Sequence, residues 1–174
     1  MLTLPPLPAW DALHPLVVHF PIALLLIAPL FIVIGAVSKP ERGFPLLLSA
    51  LILMVLGTAS TFVAAASGHA AGELLEAMPQ AKTTLEQHED LAQITQIVFS
   101  ALTLIFAAIL FVPRLLHQEP TRVVAIVLPT VFLVFYATGA ILLANTAHQG
   151  GRLAHELEVK QPVQNVALDS LEHK

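Results

Sequence analysis

Four long stretches of the chain contain no Asp, Glu, Lys or Arg: Ala12 to Ser38, Gly43 to Gly72, Leu91 to Pro113 and Val123 to Gly151. A membrane-crossing helix needs about 20 mostly apolar residues at ~1.5 Å rise each, so every stretch can cross a bilayer once and none can cross it twice. The pattern predicts four transmembrane helices, about 15–37, 45–67, 84–112 and 122–147, joined by polar turns. Connected in order, they form an all-α, integral-membrane, four-helix antiparallel bundle. The first stretch lacks a basic leader and its apolar run is too long for a cleaved signal, which makes it a permanent helix. Residues 1–159 form this single domain. The polar tail 160–174, with Pro162, is expected to be mobile or lightly docked.

Composition supports the same class. Of 174 residues, 56% are hydrophobic and 11% charged, against roughly 25% charged in soluble domains. A water-soluble globule is excluded, and the lipid bilayer is the first partner. Eight scattered basic residues and a net charge of −4 supply no basic stripe, so nucleic acid is not expected as a partner. The absence of cysteine removes disulfides, thiolate metal sites and cysteine nucleophiles. Histidine is the only soft ligand left in quantity.

The turns set an orientation. No basic residue precedes Lys39, and the two turns on one side carry Lys39, Arg42, Arg114 and Arg122. The positive-inside rule places those turns in the cytoplasm and both termini in the periplasm, as a multi-pass protein of a bacterial inner membrane.

On this topology His14 and His19 lie at the start of helix 1, His69 at the end of helix 2, His88 at the start of helix 3 and His148 at the end of helix 4. Five imidazoles thus gather on the periplasmic face, leaving His117 on the other side. A single histidine at a membrane helix end is also tolerated there for its amphipathic ring. Clustered imidazoles are ligands for metal or haem.

Depth sharpens the pairing. Pro15 suits a first helical position, which puts His19 about one turn inside helix 1. Thr83 with Glu86 and Thr84 with Gln87 form overlapping capping boxes, which put His88 about one turn inside helix 3. Helices 1 and 3 are diagonal partners, so His19 and His88 are expected to face each other as axial ligands. His69 and His148 on the other diagonal are the second choice, or a second centre. His14 is five residues from His19, about 140° around a helix, and is expected to support a ligand or a haem propionate. Pro21 frees the Val17 carbonyl and is expected to kink the helix.

Small residues at Thr58 to Gly68, with Ala137, Gly139, Ala140 and Ala144, permit close helix packing and equally leave room for a flat macrocycle. Gly150-Gly151 suits a left-handed helix terminus. No carboxylate lies within an apolar core, which argues against a proton-driven transporter. His88-Glu89-Asp90 and His155-Glu156 lack the spacing of a zinc hydrolase.

The strings LHPLVVHFPIALLL (Leu13 to Leu26), HEDLAQI (His88 to Ile94) and GGRLAHELEV (Gly150 to Val159) resemble the bacterial membrane family called domain of unknown function 2231. The matching positions are His14, Pro15, His19, Pro21, His88, Gly150 and Gly151. The resemblance implies a small four-helix inner-membrane protein. Because some members are fused to or encoded beside Rieske or cytochrome c modules, it also implies a b-type cytochrome role.

The leading expectation is a redox carrier subunit rather than a stand-alone enzyme. It would bind haem b through His19 and His88 with His14 in support, and exchange electrons with a periplasmic redox protein or quinone. The alternatives are copper or zinc held by the same histidines without redox traffic, and a plain anchor subunit. Three methionines, Met1, Met54 and Met78, are too few for a thioether copper path. A homo-oligomer is compatible with each reading.

Overall fold

The computed structural model describes the backbone of residues 10, 13–76, 79–118 and 121–172, and the side chains of these except 40, 73–80 and 155 onward. The first span is broken into α1 (His14–Val17) and α2 (His19–Val37), followed by α3 (Pro40–Glu76), α4 (Pro79–Leu115) and α5 (Arg122–Glu172). No strand occurs among the described residues, and four helices are long and apolar enough to cross a membrane.

Local chemistry sets the boundaries. The break at Val18 follows from Pro21, which has no N–H to give the Val17 carbonyl. Prolines stand in the first turns of α1, α3 and α4, where a missing N–H costs nothing. Between α4 and α5, His117 takes a left-handed conformation with φ 54°. Its N–H bonds the Arg114 carbonyl and that of Gln118 bonds the Pro113 carbonyl, closing the helix end in a Schellman turn. His117 therefore has a structural reason for its place.

Several expectations are corrected. The capping boxes at Thr83 and Thr84 lie inside α4, which begins at Pro79. Gly150-Gly151 does not terminate a helix: neither glycine has positive φ, and α5 continues to Glu172. Helix 2 likewise runs past Ser67 to Glu76. The polar continuations carry helices beyond their apolar cores although Gly68, Gly72, Gly150, Gly151 and Pro162 each disfavour helix locally.

Each helix packs on its sequence neighbour, and α5 closes the bundle on α2, so the first and third spans are diagonal, as are the second and fourth. Neighbours are antiparallel: Leu25 meets Gly57, Thr58 meets Thr103, Phe106 meets Phe132 and Leu25 meets Tyr136. The core recurs at helical spacing, with Leu25, Ala28 and Ile32 on α2 and Phe99, Leu102, Phe106 and Leu110 on α4. Its centre is a run of rings, Phe99 on Tyr136 (5.5 Å between centroids), Tyr136 on Phe132 (5.8 Å) and Phe132 on Phe106 (4.9 Å). The outer faces are equally apolar, with Leu104, Val134, Ile97 and Phe135 exposed, as a lipid solvent requires.

Polar atoms inside the bundle are paired. Thr58 and Thr103 share a hydroxyl bond of 2.9 Å, as do Thr95 and Thr146. Gln96 donates Nε2 to the Thr61 carbonyl at 3.0 Å. Among the described residues no buried side-chain nitrogen or oxygen lacks a partner. Hydrocarbon offers none in exchange, so such pairs fix which helix faces meet.

Candidate functional site

At the end of the bundle where α1 and α4 begin, two half-buried histidines face inward. His14 donates Nδ1–H to the Ala64 carbonyl of α3 at 2.9 Å and also reaches Ser67 Oγ at 3.2 Å. The Ser67 hydroxyl gives its own proton to the same carbonyl at 3.0 Å, so its oxygen is free to accept. His88 donates Nδ1–H to the Thr146 carbonyl of α5 at 3.0 Å. A carbonyl can only accept, so in both neutral rings Nδ1 carries the proton and Nε2 keeps its lone pair. The rings stand 6.5 Å apart between centroids, with planes at 82°.

Each ring lies against a glycine four residues beyond the carbonyl it bonds. A Cβ on Gly68 would fall 2.8 Å from His14 Cε1, and one on Gly150 would fall 3.1 Å from His88 Cε1. The two halves of the chain thus repeat one arrangement: a histidine on the first helix of a hairpin, a backbone carbonyl on the second, and a glycine one turn further on. The copies differ in their hydroxyls: Ser67 Oγ reaches the His14 ring itself, whereas the Thr146 hydroxyl bonds Thr95 and the Leu142 carbonyl.

The expected facing pair was His19 with His88; the structure brings His14 to His88 instead. His19 is exposed and donates Nδ1–H to the Pro15 carbonyl of its own first turn at 2.7 Å. Since the two are about 140° apart around the helix, turning His14 toward α3 turns His19 away. His69 is exposed, with Nδ1 3.6 Å from Glu89 Oε1. His148 is exposed on α5, so neither member of the second-choice pair faces the interior. The side chain of His155 and all of His173 lie outside the described residues.

Sequence reasoning read Ser67 and Gly68 only as part of the small-residue run Thr58 to Gly68, and it missed the carbonyls of Ala64 and Thr146. Carbonyl partners leave no mark in a sequence. Gly68 had one signal, a glycine in a helix at the same level as His14. Among the described residues no three His, Asp or Glu side chains converge, so this is a site of two imidazoles.

No curated protein and no solved structure matches the chain. The family described as predicted membrane protein (DUF2231) matches over residues 10–162, which covers all four membrane spans and both histidines of the pair. With four apolar helices and that match, the chain belongs to the DUF2231 family of predicted membrane proteins.

Proposed function

We propose that the protein is a membrane electron carrier that holds haem b between His14 and His88. The observation that carries this reading is the duplicated arrangement itself: two imidazoles from the two halves of the chain, each with Nδ1 tied to a carbonyl and Nε2 left as a donor. Fixing the second nitrogen of a ligand histidine is how proteins orient metal-binding rings.

The spacing supports this reading: with ring centroids 6.5 Å apart, both imidazoles would be near enough to hold one ion between them. The number of side chains also supports it: His14 and His88 would hold a haem, whereas structural zinc takes four protein ligands and catalytic zinc three.

Haem, when bound, supplies a reversible one-electron couple. The chain's own part is to present the two Nε2 atoms, hold their tautomers through the Ala64 and Thr146 carbonyls, and surround them with apolar helix. The positive-inside pattern puts this end of the bundle on the periplasmic side of a bacterial inner membrane, within reach of a periplasmic redox protein or a quinone. A second reading rests on the same spacing: two opposed imidazoles without a macrocycle suit a two-coordinate copper ion.

The test is the reduced-minus-oxidised absorption spectrum and the metal content of protein purified from cells given ample haem. A sharp b-type band is expected. A colourless protein containing copper replaces the first reading by the second, and a colourless, metal-free protein leaves the anchor role.

A further inference from the structure

We infer that Gly68 and Gly150 are a matched pair of positioning residues, each a notch that sets one imidazole of the His14–His88 pair at its depth in the bundle. The inference concerns how the rings are held and stands whichever ion or cofactor they bind.

The geometry is specific. The three atoms nearest to a Cβ built on Gly68 are Cε1, Nδ1 and Nε2 of His14, at 2.8, 3.1 and 3.4 Å. Those nearest to a Cβ on Gly150 are the same three atoms of His88, at 3.1, 3.6 and 3.6 Å. Contacts below about 3 Å are not sustained between carbon atoms, so a methyl at Gly68 must displace the ring. His14 has no free room to swing, because its Nδ1 is bound to Ala64 and Ser67. Gly151, next in the chain, has nothing within 4 Å of a built Cβ. One glycine of that pair is therefore a notch and its neighbour is not, although both sit in the same helix.

Helical glycine ordinarily gives way to alanine with a gain in stability, since alanine loses less backbone freedom on folding. A notch reverses that sign. In the purified full chain, Gly68→Ala is expected to lower the unfolding temperature, and Gly150→Ala to lower it less, in line with 2.8 against 3.1 Å. Gly151→Ala should leave it unchanged or raise it.

The deciding comparison repeats Gly68→Ala in the background of His14→Ala, where the ring is gone. There the substitution should raise the unfolding temperature. The Cε1–H resonance of His14, followed by NMR in protein prepared without ligand, should shift more than that of His88 in Gly68→Ala, and the reverse should hold for Gly150→Ala. If Gly68→Ala alone fails to fold, recovery in the double variant is the result expected. The inference is overturned if Gly68→Ala stabilises the chain with His14 present, if the double variant also fails to fold, or if the His14 resonance does not move. None of these readouts depends on haem, so a colourless protein would sink the electron-carrier reading without touching this one.

Discussion

Tyr136 donates its hydroxyl to the carbonyl of Leu25 at 2.6 Å, joining α5 to α2 at the centre of the bundle. Leu25 is the residue whose carbonyl would normally accept from position 29, and position 29 is proline. A carbonyl freed by one helix is thus satisfied by the phenol of another. Tyr136→Phe is expected to cost about 1–3 kcal/mol, the penalty for an unpartnered buried acceptor. Adding Pro29→Ala, which restores the helix's own donor, should recover most of the loss. Denaturant titration of the single and double variants in detergent measures both steps.

The histidine roles separate by substitution. His14→Ala and His88→Ala should each abolish the spectrum of a six-coordinate iron, because one imidazole supplies only one of its two axial bonds. His19→Ala, His69→Ala and His148→Ala should keep it. Loss of the band in His19→Ala with retention in His14→Ala would move the site to the exposed face at the start of α2.

Ser67 offers a milder test. Its removal as Ser67→Ala leaves the bond from His14 to the Ala64 carbonyl, so affinity for haem should fall by about tenfold, the lower end for loss of a ligand's supporting contact. Titration of ligand-free protein with haem reads the change, and an unaltered affinity would assign the serine to packing alone.

Thr58 and Thr103 give a stability cycle with no bearing on the site. Hydroxyl pairs between membrane helices contribute about 0.6 kcal/mol on average and reach about 1.7. Thr58→Val and Thr103→Val should each destabilise, and the double variant should lose less than the sum, because no orphaned hydroxyl remains. Full additivity would show that the 2.9 Å contact carries no coupling.

Topology is open to reporter fusions. Positions 42 and 118 should report the cytoplasm and position 69 the periplasm. The reversed result would place the imidazole pair on the cytoplasmic side and change its partners without altering its geometry.

The spans were legible because a bilayer imposes a length and forbids charge, and both constraints are written position by position along the chain. The gathering of histidines at one end followed from counting four crossings. Which of His14 and His19 turns inward was not legible, since it depends on how α1 rotates after the interruption that Pro21 causes at Val18. The glycines misled for a related reason. Gly150 reads locally as a helix stop, yet its lack of a side chain serves a ring from another helix, and helix continuity through it is set by non-local packing. His14 against Gly68 and His88 against Gly150 are pairs separated by more than 50 positions, and neither residue type announces the other.

The division of the site between two hairpins also fixes when in the life of the chain it can come into being. Membrane proteins emerge N-terminal end first. The first notch is complete once α3 has been made, but His88 waits for Thr146 and Gly150, which are among the last residues of the final span to leave the ribosome. Until then the nascent protein holds one oriented imidazole and one loose one. A ligand that needs both rings held at once would be taken up only after the membrane domain is complete, which would separate insertion from loading.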